Sequence, residues 1–223
     1  MLAAADGESP DELWCLGDVV GYGPKPNECC DLAQARADIC LAGNHDLAVR
    51  GTIDLEEFSG DAGAAARWTR SLVSEAARAF LDGLEPTGDR AGLSLYHGSA
   101  RDPVWEYVLS DEAAAATLEL SPHDVALVGH SHVALAVRWT DDTVTGGLAA
   151  SGTEIALEGR VLLNPGSVGQ PRDGDPRAAY LILDLDHRRA TFHRVEYDVE
   201  RTQAEMREAL LPEALAARLA FGG

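Results

Sequence analysis

Polar side chains that can bind metal ions follow four short apolar runs in this sequence. They are Asp18 after run 13–16, Asn44-His45-Asp46 after run 39–42, His97 after run 93–96, and His130-Ser131-His132 after run 125–128. Carboxylate, amide and imidazole groups together form the mixed oxygen and nitrogen shell that suits Mn, Fe, Zn or a similar divalent ion. Any one of these histidines could equally be a buried structural residue. The fourfold repetition of the pattern favours a shared metal centre.

The apolar runs themselves predict the elements that position these side chains. Each run is about four residues long and is followed by glycine or by a polar residue, which is typical of a buried strand in an α/β sheet. Ligands in such sheets gather at the carboxyl ends of the strands. We therefore expect the four groups of polar residues to meet at one edge of a sheet.

The rest of the chain predicts an α/β domain with two sheets. Helices are expected over 26–36, in two or three pieces over 54–84, and over 113–120 behind the N-cap Ser110. From Val133 to Tyr197 strand patterns follow one another, which predicts a second, mainly antiparallel sheet packed face to face with the first. One or two helices over 199–220, broken at Pro212, complete the chain. No repeat or linker interrupts it, so residues 1–223 are predicted to form a single domain.

Composition restricts the partners of this chain. The formal net charge is −19, with 37 acidic against 18 basic residues, so no basic surface is available for bulk nucleic acid. Four cysteines, Cys15, Cys29, Cys30 and Cys40, form no C-x-x-C pair and are predicted to be reduced core residues. No apolar stretch is long enough to span a membrane, and the first residues do not form a signal peptide. We therefore expect a cytoplasmic protein that contacts neither membrane nor nucleic acid.

The motifs resemble those of the calcineurin-like metallophosphoesterases, and the match covers nearly the whole chain. They are Gly17-Asp18-x-x-Gly21, Gly43-Asn44-His45-Asp46, the lone His97, and Gly129-His130-x-His132, in this order. The segments 17–24 and 164–173 are similar to the small prokaryotic phosphodiesterases of that family. This resemblance implies a four-layer α/β/β/α sandwich of two mixed sheets and a binuclear centre of Mn, Fe, Ni or Zn.

The resemblance also implies a role for each residue. Asp18 would bridge the two ions, His132 would bind the first, and three residues would complete the second: Asn44, His97 and His130. His45 would protonate the leaving oxygen or steady the developing charge by hydrogen bonding. Asp46 would orient the imidazole of His45. No protein nucleophile is required, because the centre would activate water.

One family motif is missing from this sequence. The family's first motif, Asp-x-His on a strand ahead of the Gly-Asp motif, has no counterpart here, since Asp6 is followed by Gly7 and Glu8. Residues 1–6 resemble instead the end of the helix after that strand, so the chain is expected to begin late and to be N-terminally truncated. We expect one tightly bound ion in place of two, and low activity.

Two arginines are predicted to bind substrate, each with an alternative. Arg101 could hold a phosphate oxygen or pair with Asp102 or Glu106. Arg172 could reach the substrate or pin its loop by pairing with Asp173 and Asp175. Tyr22 and Trp105 could line the substrate cleft, and core packing is the alternative for Trp105.

The predicted substrate is a small phosphodiester or phosphomonoester, and a homodimer is allowed. A different class of function is also open, namely an inactive scaffold of the same fold that binds protein partners. The retained metal ligands favour the enzyme, whereas the missing Asp-x-His motif favours the scaffold.

Overall fold

A computed structural model of the chain describes residues 1–58 and 60–223. The helices are α1 (Leu2–Gly7), α2 (Pro26–Arg36), α3 (Asn44–Arg50), α4 (Gly60–Leu72), α5 (Glu75–Asp82), α6 (Asp111–Leu120), α7 (Val199–Glu208) and α8 (Glu213–Arg218), with a short 3-10 turn at Leu55–Glu57. The strands are β1 (Trp14–Cys15), β2 (Ile39–Cys40), β3 (Thr87–Arg90), β4 (Leu93–Tyr96), β5 (Val125–Val128), β6 (Ala134–Thr140), β7 (Thr143–Leu148), β8 (Glu154–Ala156), β9 (Arg160–Pro165), β10 (Ala178–Asp184) and β11 (Arg189–Val195).

The largest sheet has six strands and a mixed topology. Its order is β3-β4-β5-β9-β6-β7, and β4, β5 and β9 run parallel to one another. Tyr96 at the end of β4 lies opposite Val128 at the end of β5. The residues that follow these two strands, His97 and His130, are therefore brought to the same edge of the sheet.

A second layer of strands packs against one face of this sheet. It consists of the antiparallel sheet β10-β11-β8 and the parallel pair β1-β2. Buried side chains from the two layers form one apolar core, in which Leu95, Leu127 and Leu163 pack with Phe192. Within the described chain, β1 and β10 each have one edge without a strand partner. The predicted face-to-face packing of two sheets is confirmed.

Helices cover the outer faces of both strand layers. Helix α6 packs Ala114 and Leu118 on the far face of the six-stranded sheet. Helices α2, α3 and α5 cover the β1-β2 pair through a cluster that includes Cys30, Val49 and Leu81. The predicted four-layer α/β/β/α arrangement is therefore confirmed.

Most predicted elements match, and the differences have local causes. The first strand is shorter than predicted because Gly17 (φ 94°) and Asp18 (φ 54°) turn the chain sharply just beyond it. Cys15 lies opposite Cys40 in the β1-β2 register, and all four cysteines are free thiols. The prediction that every cysteine lies in the core is wrong for Cys29, which α2 exposes to solvent.

Among the described helices, none is long and apolar enough to cross a membrane. The cytoplasmic location stays a prediction.

Candidate metal centre

The residues after four strands converge at one end of the strand layers. Asp18 follows β1, Asn44 begins α3 four residues after the end of β2, His97 follows β4, and His130 and His132 follow β5. His97 Nε2 lies 3.3 Å from Asn44 Oδ1, 3.2 Å from His130 Nδ1 and 3.6 Å from Asp18 Oδ2. Four potential ligand atoms from four separate segments therefore lie close together.

His132 reaches the same carboxylate from elsewhere in the site. Its Nε2 lies 3.9 Å from Asp18 Oδ2. The group of mutually close ionisable ligands contains Asp18, His97 and His130 but not His132. Asp18 thus has two sets of neighbours. One is the cluster of Asn44, His97 and His130, and the other is the separate imidazole of His132.

Backbone carbonyls fix the orientation of the three imidazoles. Leu16 O lies 2.7 Å from His97 Nδ1, Trp105 O lies 3.1 Å from His130 Nε2, and Gln170 O lies 2.7 Å from His132 Nδ1. A carbonyl oxygen only accepts hydrogen bonds, so each of these ring nitrogens must carry the proton. The opposite ring nitrogen of each histidine then presents a lone pair to the centre, as in metal sites where a second contact sets the tautomer.

This donor set fits a divalent cation. His97 Nε2 and His130 Nδ1 are 3.2 Å apart. Because the carbonyls hold the proton on the opposite nitrogen of each ring, neither of these two atoms can donate a hydrogen bond to the other. The oxygens of Asn44 and Asp18 add further acceptors, so the cluster concentrates lone pairs that one cation would satisfy together. Burial lowers the pKa of His130 to about 4, with a further contribution from His97, which keeps its ring neutral and able to coordinate.

Asp18 supplies the negative charge of the centre. Burial opposes its ionisation, but His97, His45 and His132, which attract the carboxylate when they are protonated, outweigh this effect and hold the pKa of Asp18 below its ordinary value. Its Oδ1 accepts the backbone N–H of His45 at 3.0 Å, which leaves Oδ2 directed at the other imidazoles. The carboxylate is therefore ionised and positioned at both of its oxygens.

Three of the candidate ligands have an unusual backbone conformation. Asp18, His130 and His132 have φ values of 54°, 57° and 60°, in the left-handed region that non-glycine residues seldom adopt. Such conformations are maintained where function requires a particular side-chain direction. Asn164 braces this loop, since its Nδ2 donates to Gly129 O at 2.7 Å and to Ser131 Oγ at 2.9 Å.

The prediction that Asp46 orients the His45 ring is wrong. The Asp46 carboxylate is fully buried and accepts three backbone N–H groups, from Gly43 at 2.8 Å, Val20 at 3.1 Å and Val19 at 3.2 Å. It therefore ties the loop after β1 to the start of α3. Its hydrogen bond from the Gly43 N–H makes it an N-terminal capping residue of that helix.

His45 lies beside the centre in an aromatic pocket. Its ring centroid is 4.3 Å from that of Tyr22 and 4.8 Å from that of Phe58. Its Nδ1 is buried without a hydrogen-bond partner among the described residues. Burial lowers the pKa of His45 to about 4, which makes the ring neutral at pH 7.

The two predicted substrate-binding arginines have different surroundings. Arg101 is held by Glu106, at 2.5 Å, and by Glu112, at 3.0 Å. Arg172 is not pinned by Asp173 or Asp175. Asp173 pairs instead with the buried Arg194, and Asp175 with Arg177. The substrate-binding roles of both arginines stay predictions.

Arg172 lies next to the aromatic pocket. Its Nη2 donates to Tyr22 Oη at 3.1 Å, and its backbone N–H donates to His132 O at 3.0 Å. Tyr22 in turn contacts His45, so it lies at the border of the centre, and its role in lining the substrate cleft stays a prediction.

Two residues of the site were not predicted. Tyr107 stacks on the His130 ring at 4.1 Å with an interplanar angle of 4° and remains 46% exposed. Gln170 binds His132 through its backbone carbonyl. Tyr107 lies in an irregular segment without periodicity, and Gln170 acts through its backbone, so no spacing signal marks either residue. Trp105 likewise contacts His130 through its carbonyl, while its ring packs on Phe58 at 5.2 Å.

Comparison with known proteins gives a consistent set of relatives. Residues 1–188 match the calcineurin-like phosphoesterase superfamily domain. The chain is 34% identical over 218 residues to the uncharacterized protein MJ0912 of Methanocaldococcus jannaschii, covering 95% of this chain and 86% of that protein. It superposes on a metallophosphoesterase from Sphaerobacter thermophilus with a TM-score of 0.88 and 40% identity, over 99% of this chain and 92% of the other. The hypothetical protein PH1004 of Pyrococcus horikoshii shares the fold, with a TM-score of 0.77 and 19% identity over 100% and 90% of the two chains.

Proposed function

Because the chain belongs to the calcineurin-like phosphoesterase superfamily, we propose that it is a metal-dependent phosphodiesterase for small molecules or nucleotides. The observation that carries this proposal is the anchoring of three imidazoles by backbone carbonyls. Each anchored ring directs a lone pair toward Asp18, which a protein scaffold without a metal would not require. The inactive scaffold is therefore the less favoured function.

The chain's own residues would hold the metal and assist bond cleavage. Asp18, Asn44, His97 and His130 would bind one ion, and His132 would contribute to a second. When bound, divalent ions supply Lewis-acid activation of water and of the phosphoryl oxygens. His45 is neutral, because burial lowers its pKa to about 4, and this favours the hydrogen-bond donor role over the role of a resident acid. Its N–H would steady the charge that develops on the leaving oxygen.

The substrate proposal rests on charge and access. A chain of net charge −19 repels long polyanions, whereas a small phosphodiester or phosphomonoester presents little charge to repel. The ring of Tyr107, which is 46% exposed and stacks on the buried His130, places a solvent-accessible aromatic surface next to the centre. A small substrate would bind beside this ring.

The numbers of potential metal ligands at the two sites differ, and this supports one tight site in this chain. The cluster of Asp18, Asn44, His97 and His130 has four donors, enough to bind one ion. Beyond the shared Asp18, the second site is supplied by His132. We propose that these 223 residues bind one ion tightly, with Mn as the first candidate, and turn over slowly.

Hydrolysis of bis-p-nitrophenyl phosphate tests the proposed activity. The purified chain should release p-nitrophenol slowly with added Mn²⁺ and should stop when excess EDTA is present. His45→Asn should lower kcat by about 100-fold or more while metal content stays unchanged, because His45 acts on the substrate and not on the ion.

His187→Asn is the matched control, since His187 is an exposed imidazole on the turn before β11. It should leave kcat unchanged. Hydrolysis that persists in EDTA would contradict a metal-dependent enzyme. A chain that fills with Mn²⁺ but hydrolyses no phosphodiester or phosphomonoester would favour the scaffold.

A further inference from the structure

Two arginines converge on one neutral amide oxygen beside the metal centre. Gln170 Oε1 accepts from Arg172 Nη2 at 2.9 Å and Nε at 3.2 Å, and from Arg218 Nη1 at 3.2 Å. Arg172 comes from the loop after β9, whereas Arg218 ends helix α8. Segments 46 residues apart in sequence (218 − 172) therefore place two positive charges in direct proximity.

No carboxylate in the described chain forms an ion pair with either guanidinium. Arg172 has Gln170 and Tyr22 as its side-chain partners, and Arg218 has Gln170. The neighbouring Arg177 and Arg194, in contrast, are each paired with an aspartate. Two like charges on one amide repel each other, so an anion bound between them would be favoured.

The amide that joins them is itself incompletely satisfied. Gln170 is only 3% exposed, and its Nε2 is buried without a hydrogen-bond partner among residues 1–58 and 60–223. A buried amide N–H without a partner is uncommon in native proteins. An anion at the two arginines could also accept from this group.

We propose that Arg172, Arg218 and Gln170 form a subsite for a second phosphate group of the substrate. The inference rests on the proposed function, because Tyr22 joins this subsite to the metal centre. The Tyr22 ring lies 4.3 Å from the His45 ring, and its hydroxyl binds Arg172 at 3.1 Å. A phosphate monoester carries about −1.5 to −2 charges and has three acceptor oxygens. Its charge and number of acceptors match two guanidinium groups better than those of a carboxylate do.

The first test measures anion binding without metal or turnover. Inorganic phosphate is titrated calorimetrically into the full chain in EDTA, for the wild type, Arg218→Gln and Arg218→Lys. Loss of one charge-assisted guanidinium contact should raise the Kd for phosphate about tenfold in Arg218→Gln, with partial recovery in Arg218→Lys. Arg201→Gln is the control, because Arg201 is 70% exposed on α7 and pairs with Glu205. It should leave the Kd unchanged.

A second variant separates anion binding from folding. Gln170→Glu would place a carboxylate between the two arginines, so it should raise the melting temperature and abolish phosphate binding. Equal phosphate affinity in wild type, Arg218→Gln and Gln170→Glu would overturn the subsite. Equal weakening by Arg218→Gln and Arg201→Gln would overturn it as well, because the effect would then reflect net charge alone.

The second test links the subsite to the substrate. Thymidine 5′-(p-nitrophenyl phosphate) and its 3′-phosphorylated form are compared in Mn²⁺. The extra phosphate should raise kcat/KM about tenfold in the wild type, mainly through KM, and this gain should disappear in Arg218→Gln. Turnover of both esters with no gain from the extra phosphate would overturn the subsite and leave the proposed function standing. Phosphate binding without turnover of either ester would support an anion site while the proposed function fails.

Discussion

Replacing Asp18 with asparagine is expected to abolish tight metal binding and phosphodiester hydrolysis together. The carboxylate provides the negative charge of the centre, and both of its oxygens are engaged, one by the His45 N–H and the other toward His97 and His132. Loss of a partner behind a metal ligand typically costs 10- to 100-fold in affinity, so loss of the ligand charge itself should cost more than about 100-fold. Calorimetric titration with Mn²⁺ and hydrolysis of bis-p-nitrophenyl phosphate measure the two effects.

The asparagine variant should retain its fold. An amide oxygen can still accept the His45 N–H, so far-UV circular dichroism and the melting temperature without metal should match those of the wild type. Asp186→Asn provides the matched control, because Asp186 is exposed on the turn between β10 and β11. Undiminished Mn²⁺ affinity in Asp18→Asn would show that the ion binds elsewhere.

Replacing Gly43 with alanine should disrupt both the centre and the fold. The added Cβ would lie 2.0 Å from Asp18 Oδ1 and 2.4 Å from the Asp18 backbone nitrogen. Asp18 cannot move away freely, since its loop is tied to Asp46 through the N–H groups of Val19 and Val20. Overpacking of this kind costs roughly 3 kcal/mol or more of the free energy of unfolding, and the displaced Asp18 should also lose the ion. Chemical denaturation and metal analysis test the two effects.

Gly23→Ala is the appropriate control for that substitution. Gly23 lies five residues after Asp18 (23 − 18), and a Cβ there would meet no atom within 4 Å. Its free energy of unfolding and Mn²⁺ content should stay within error of the wild type. If Gly43→Ala were as stable and as metal-rich as Gly23→Ala, the close packing of Gly43 against Asp18 would not support the centre.

Local sequence signals predicted the strand ends that carry the candidate metal ligands. Apolar runs followed by Asp18, His97 and His130 placed these residues at the carboxyl ends of parallel strand pairs. The packing of the β1-β2 pair against the six-stranded sheet then brings Asp18 to the two histidines, and no local signal describes that packing. The N-cap of α6 was also predicted from a local signal, and Ser110 Oγ accepts a hydrogen bond from Ala113 N at 3.2 Å as predicted.

Local sequence signals could not predict contacts between residues that lie far apart in the sequence. Asp46 appeared suited to orient the adjacent His45, but folding brings the backbone of Val19 and Val20 onto it from 26 or 27 residues away. The proximity of Arg172 to Arg218 likewise depends on how α8 packs, which no periodicity describes. The backbone contacts of Trp105 and Gln170 carry no side-chain signature at all.

Metal content per chain is the most direct test of the account. The wild-type chain is equilibrated with Mn²⁺, freed of excess ion by gel filtration and analysed for manganese, beside Asp18→Asn. Four converging donors at Asp18, Asn44, His97 and His130 predict about one tightly held ion in the wild type and none in the variant. A wild-type chain without manganese, or a variant that keeps its ion, would contradict the proposed centre.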